Sequence, residues 1–249
     1  MKRLISAVLA LLLPVLVFAG PLWNNIREIT LDYPHAYFIY VDKEAKELKL
    51  IDRQLDVKKV YKIASGAQKG NKLYRGDMRT PEGVYSITEI YSYAKPWWVE
   101  AFEERVKEAD AAGRDTKTLK DGLKARVDKY EAGKRRLSSM NALHLKASDG
   151  HRKFGSDEDL GTDAYGPVFM RINYPDAGDR KRHNEAKAKG LVPQGRGIGG
   201  GIAIHGTNDG ESLGHDATTG CVRLNNSGIE ELARYVQKGM MVIIERTSD

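Results

Sequence analysis

Apolar residues fall into short runs between positions 35 and 64, and the polar residues among them set the expected elements. Ala36-Tyr37-Phe38-Ile39-Tyr40-Val41 predicts a first strand. Glu47-Leu48-Lys49-Leu50-Ile51 alternates polar and apolar side chains, as a half-buried strand does, and Val57 to Ala64 predicts a third. Gly66 and Gly70 punctuate the end of this region. Thr80-Pro81-Glu82-Gly83 then predicts a turn that leads into a strand at Val84-Tyr85-Ser86-Ile87.

The period changes after Tyr93. From about Pro96 to Leu145 apolar residues recur at spacings of three and four, through Val99, Phe102, Val106 and Ala109 and again through Leu119, Leu123, Val127 and Tyr130. That spacing predicts amphipathic helices, separated near Gly113 and Asp115, with a solvated charged face. Trp97 and Trp98 at the start are expected to pack into the core rather than line a substrate groove. Strand character returns at Val168-Phe169-Met170-Arg171-Ile172. The stretch from Pro175 to Gly201 is polar and rich in Gly, Lys and Arg, and is expected to be a mobile surface loop near the site. Ile202-Ala203-Ile204 is a short buried strand ending at His205. A helix over Ile229 to Val236 and a last strand over Met240 to Glu245 complete the pattern. The fold class expected is mostly β, with an inserted helical segment at about 94–160 and a C-terminal helix plus strand.

Composition adds compartment and partners to this picture. The 249 residues suit one domain with an insertion, and 41% hydrophobic with 30% charged residues is a soluble globular balance. Lys2 and Arg3 precede an apolar run from Leu4 to Phe18, and Val17-Phe18-Ala19 suits a cleavage site, so residues 1–19 are expected to be a secretory signal peptide. The apolar run is short for a membrane anchor of ~20 residues and contains Pro14, so no stable span is expected after cleavage. Residues 20–34 would be a lead-in and 35–246 the main domain, interrupted by the helical insertion. Formal net charge is +6; without Lys2 and Arg3, 38 basic residues face 34 acidic ones, leaving +4. Basic and acidic residues are interspersed and no nucleic-acid recognition motif is present, so nucleic acid is not an expected partner.

Cys221 is the only cysteine. Alone in an exported chain, it cannot form an internal disulfide or a multi-cysteine metal site, and a retained reactive thiol is one of the readings left. A nucleophilic cysteine needs a thiolate, and His205, sixteen residues earlier at a strand end, can take the proton. Gly220 permits a tight turn, and the amides of Gly220 and Cys221 are candidate oxyanion donors. Residue types alone leave the bland reading open, in which both side chains are buried structural groups.

The motifs carry the argument further. His205-Gly206 at a strand end, then Thr218-Thr219-Gly220-Cys221-Val222-Arg223, resembles the L,D-transpeptidase catalytic domain (YkuD) family. Thr80-Pro81-Glu82-Gly83-Val84-Tyr85, Gly166-Pro167 and the ending from Gly239 through Val242-Ile243-Ile244 also match that family. Many members have a histidine where this chain has Thr219; His215 lies nearby but reads as a surface loop residue. The resemblance implies that 35–246 is a catalytic domain of the L,D-transpeptidase-like β-sandwich/barrel kind, with peptidoglycan stem peptides as substrate, Cys221 as nucleophile and His205 as base, and the Gly206 carbonyl orienting the imidazole. It also implies that Thr207, Thr219 and Arg223 line the substrate site, Arg223 either binding a carboxylate or bracing the loop. No metal or organic cofactor is implied, and the location would be periplasmic or cell-wall associated. The acceptor would be a second stem peptide, a lipoprotein lysine, or water in an L,D-carboxypeptidase or amidase. A non-catalytic wall-binding protein of the same fold is the reading from another class.

Overall fold

The computed structural model describes residues 33–245 and Ile26. The expected leader at 1–19 lies outside the described residues, as does the lead-in apart from Ile26, Tyr33 and Pro34. Strands β1 (Tyr37–Asp42), β2 (Glu47–Asp52), β3 (Val57–Lys62), β4 (Ser65–Gly66) and β5 (Gly83–Ser92) come first. Helices α1 (Trp97–Ala111) and α2 (Lys117–Asn141) follow. Then come β6 (Val168–Ile172), α3 (Ala177–Ala188), β7 (Ala203–His205), β8 (Asp216–Thr218), β9 (Val222–Arg223), α4 (Asn226–Ala233) and β10 (Met241–Glu245). The fold is mostly β, as the periodicity predicts.

Eight strands form one sheet in the order β3-β2-β1-β10-β5-β6-β7-β9, while β4 and β8 pair separately. The last strand in sequence lies in the middle, with β10 parallel to β1 and antiparallel to β5. Beyond β3, Ala64 and Arg223 exchange two amide hydrogen bonds of 3.0 Å, which ties one end of the sheet to β9 and curls it on itself. Inside the curl, Ile39, Val41, Leu48, Leu50, Met170, Ile204 and Val222 pack with Ile229 and Leu232 of α4. The alternate residues of β1, Phe38 and Tyr40, are buried on the other face with Ile26, Tyr33 and Ile243. Burial on both faces explains why β1 reads as an unbroken apolar run.

Three expectations change. β5 continues to Ser92, well past Ile87, because a register shift between Ile87 and Glu89 breaks the alternation by which a strand is recognised. The supposed loop after Pro175 contains α3, started by a capping box in which Asp176 accepts from the Asp179 amide and Asp179 from the Asp176 amide. Only Asp179, His183 and Ala186 of α3 are buried, so it has no apolar stripe to read. Trp97 is 43% exposed and Trp98 half-buried, contrary to core packing. Helix α1 buries Val99, Val106 and Ala109, and Trp97, two residues before Val99, falls on the opposite side of the helix.

Candidate active site

Strand alternation decides what reaches the site. Ile204 and Val222 point into the core, so Ala203, His205, Cys221 and Arg223 face the other way. The parallel register sets Ile204 opposite Val222 and His205 opposite Arg223. On the same face β6 sets Phe169 opposite His205 and Arg171 opposite Ala203, and β5 sets Tyr91 opposite Phe169. Leu137 of α2 packs on Phe169 and Ala203, with Met140, Tyr165 and Cys221 beside them. The helical segment therefore walls a cleft of about 1210 Å3 that His205 and Cys221 both line.

His205 is buried, stacked on Phe169 at 5.9 Å and met edge-on by Tyr165 at 5.1 Å. Its Nδ1 lies 2.5 Å from the Gly206 carbonyl oxygen. A carbonyl can only accept, so Nδ1 carries the proton and Nε2 is left as the acceptor nitrogen of the neutral ring. Burial, then the Arg223 charge, lower the imidazole from 6.5 to about 3, against the opposing pull of the Gly206 hydrogen bond. Backbone packing holds this segment. A β-carbon on Gly206 would stand 2.5 Å from Asn226 Oδ1 and 2.9 Å from Pro167 Cδ, and the same oxygen accepts the Thr207 amide at 2.9 Å. Gly166 presses on Gly206 from the other side, which is why Gly166-Pro167 matters.

Cys221 immediately precedes β9, with its Sγ 3.8 Å from the Gly201 carbonyl. Burial raises the thiol above its ordinary value, while a hydrogen bond from Ala203 and the charges of Arg223 and Lys72 pull it down. Gly220 has φ +135°, and a β-carbon there would lie 2.8 Å from the Arg79 carbonyl oxygen, so only glycine fits. Its amide, expected to be an oxyanion donor, already donates to Thr218 Oγ1 at 3.1 Å. The Thr218 hydroxyl in turn donates to the Cys221 carbonyl at 2.6 Å, which fixes the turn before β9.

The remaining residues singled out in the sequence divide. Arg223 and Thr219 line the cleft. The Arg223 guanidinium is buried and paired with buried Asp209 at 3.2 Å, a bracing geometry, and its Nε is buried with no partner among the described residues. Thr207 is buried away from the cleft lining, and its hydroxyl accepts the Asp209 amide at 3.0 Å. His215 is exposed and stacks on Phe154 at 4.2 Å. Sequence reasoning missed Lys72, Asp209, Thr218 and Asn226. Thr218 opens the nucleophile motif, though the sequence reading gives it no role, and Asn226 closely follows it; Lys72 and Asp209 have no local signal, because burial alone makes them partners.

The Thr80-Pro81-Glu82-Gly83 motif anchors the loop that brings Lys72 to the cleft. Buried Lys43 donates to the carbonyls of Gly70 (2.9 Å) and Thr80 (3.0 Å) and to Glu82 Oε1 (2.7 Å). Thr80 Oγ1 accepts the Gly66 amide at 2.8 Å, and Asn71 and Glu82 hydrogen-bond across the loop. Helix α3 supports the same loop through His183 Nδ1, which donates to the Leu73 carbonyl at 2.7 Å. Seven cationic side chains, six of them arginines, line the cleft against Glu89 and Asp149, so it suits an anionic ligand. Among the described residues no group of three or more His, Cys, Asp and Glu is placed to hold a metal ion. Nor is any described helix long and apolar enough to cross a membrane.

Fold and motifs together define a catalytic domain of the L,D-transpeptidase type. The family model for the L,D-transpeptidase catalytic domain, YkuD, matches residues 36–244. The chain belongs to this family, which acts on peptidoglycan peptides. No curated protein matches it. Among solved structures it is similar to Bd1075 of Bdellovibrio bacteriovorus (19% identity, TM-score 0.42, covering 84% of this chain and 48% of that one). It is also similar to the helical cell shape determining protein Pgp2 of Campylobacter jejuni (18%, 0.45, 86% and 49%). A third is an L,D-transpeptidase from Mycobacterium smegmatis (10%, 0.41, 84% and 58%). The chain thus spans about half the length of the solved structures it matches.

Proposed function

We propose that the protein is an exported peptidoglycan L,D-transpeptidase that works through a Cys221 acyl-enzyme. The observation that carries this reading is the shared face of β7 and β9, which sets a thiol and a tautomerically fixed, neutral imidazole in one cationic cleft. His205 Nε2 takes the Cys221 proton, and the sulfur attacks the carbonyl carbon between the third stem residue and D-alanine. The tetrahedral oxyanion is held by the Cys221 amide, since the Gly220 amide is committed to Thr218. Collapse breaks the C–N bond, the imidazolium returns its proton to the leaving D-alanine amine, and a thioester remains. An acceptor amine from a second stem peptide or a lipoprotein lysine then attacks the thioester and regenerates the thiol. Water in that step gives carboxypeptidase or amidase activity.

Incubation of the protein with tetrapeptide and pentapeptide muropeptides, followed by mass analysis, tests the proposal. A cross-linked dimer is expected, and a thioester adduct on Cys221 that is absent from Cys221→Ala. Loss of D-alanine without a dimer would select the hydrolytic reading. Unmodified muropeptides and an unmodified thiol would leave the non-catalytic wall-binding reading. Export is tested by the N-terminus of the secreted protein, expected to be Gly20.

A further inference from the structure

Lys72 is a buried cation for which the chemistry above has no role. It is 4% exposed yet lines the same cleft as His205 and Cys221. Its Nζ lies 2.7 Å from Asp77 Oδ1, and Asp77 also accepts the amides of Leu73 (2.6 Å), Tyr74 (3.0 Å) and Arg79 (3.1 Å). The carboxylate is therefore shared among four donors and holds Lys72 in place while only partly offsetting its charge. A β-carbon built on Gly220 would lie 3.6 Å from Lys72 Nζ. The ammonium thus stands beside the residue that precedes the nucleophile, held in a tight space that the Arg79 carbonyl and Ile202 Cδ1 also border. An ammonium has three N–H donors, and Asp77 takes one. This is also the place where one expected oxyanion donor, the Gly220 amide, is diverted to Thr218.

We infer that Lys72 is the second oxyanion-stabilising group of this site, acting with the Cys221 amide on the developing negative charge and on the thiolate before attack. The inference rests on Cys221 being the nucleophile. Lys72 keeps its protons throughout, and the proton shuttle remains His205. A fixed positive charge near a half-buried sulfur favours the thiolate over the thiol, and the lowering pull of Lys72 on Cys221 agrees in direction. An ammonium aimed at the carbonyl oxygen works in the same direction at the next step, where charge moves from sulfur to oxygen. The loop anchored by Lys43, Glu82 and Thr80 then has a functional purpose, the placing of one charge.

The test uses the full chain and a small neutral electrophile, iodoacetamide, with Cys221 alkylation followed by intact mass across pH. In Lys72→Met the inflection of the alkylation profile is expected to move at least one pH unit higher. Acylation by a tetrapeptide substrate should lose about 100-fold or more in kcat, with KM within a few-fold. Lys72→Arg should keep the inflection near that of the unaltered protein. Asp77→Asn removes the opposing carboxylate and should move the inflection lower, a sign that general loosening of the loop would not produce. An unchanged inflection in Lys72→Met overturns the inference whatever the peptide assay gives, and an Asp77→Asn shift in the same direction as Lys72→Met also counts against it. A shifted inflection in a protein that leaves every stem peptide untouched would overturn the function proposed above and keep the action of Lys72 on the thiol.

Discussion

Asp209 Oδ2 binds the buried guanidinium of Arg223 at 3.2 Å and, at 3.1 Å, the backbone amide of Phe154, so one carboxylate ties β9 to the part of the insertion that follows α2. Both side chains of the pair are less than 10% exposed. Asp209→Ala would leave a buried cation without its counter-charge, and a loss of about 3–5 kcal/mol is expected in urea unfolding. Asp209→Ala combined with Arg223→Met should recover part of that loss, because the uncompensated charge leaves with the arginine. A double variant no more stable than the single one would show that Arg223 braces β9 by something other than this pair.

The neutral state of His205 makes stability depend on pH in a defined direction. The folded imidazole titrates near 3, against an ordinary value of 6.5. Between those values the unfolded chain binds the extra proton, so the contribution is complete above about pH 6.5 and is lost as pH falls toward 3. The amount is on the order of 4 kcal/mol at the acid end. Carboxylates titrate in the same range, so the informative quantity is the difference between the protein and His205→Gln. The unaltered protein should lose stability more steeply from pH 6.5 to 3, and parallel curves would contradict a buried neutral imidazole.

Gly220 should tolerate no side chain. Alanine there meets both a φ of +135° and the Arg79 carbonyl oxygen at 2.8 Å, so the turn before Cys221 must move. A displacement of even about 1 Å at a reacting atom costs on the order of 100-fold in rate. Gly220→Ala is expected to cut acylation by that factor or more. Gly190→Ala is the control: its φ is +71°, nothing lies within 4 Å of the added carbon, and only a modest stability loss should follow.

How much of this was legible in the sequence depended on whether a residue's role is local. β2 alternates as far as Leu50, although the structure buries it on both faces from Leu48 to Asp52 rather than on one, and β6 is a compact apolar run; both lie where the pattern puts them. His205 and Cys221 sit in recognisable frames, and the strand pairing that brings them to one face follows from two short segments. Helix α3 was not legible, since its start is a pair of aspartates and its buried positions include Asp179 and His183. Lys72 and Asp209 were not legible for a different reason. Each is an ordinary charged residue until the fold buries it against a partner, Asp77 in one case and Arg223 in the other.

Asn226 supports the catalytic histidine proposed here without touching it. Its Oδ1 accepts the Thr207 amide at 2.9 Å and fills the space that a β-carbon on Gly206 would need. Gly206 supplies the carbonyl that fixes the tautomer of His205, so Asn226 holds the backbone on which that hydrogen bond depends. Asn226→Ala strands the Thr207 amide in a buried position and should cost about 1–3 kcal/mol. It should also lower kcat more than it changes KM, because the imidazole loses its fixed orientation while the cleft walls stay in place. Asn226→Asp retains an acceptor at the same distance and puts a negative charge at the first residue of α4, where the helix N-terminus favours one. That variant should keep most of the stability and most of kcat. If Asn226→Ala lowered stability with kcat intact, the oxygen of Asn226 would serve packing alone, and the orientation of His205 would have to rest on Gly166 and Pro167.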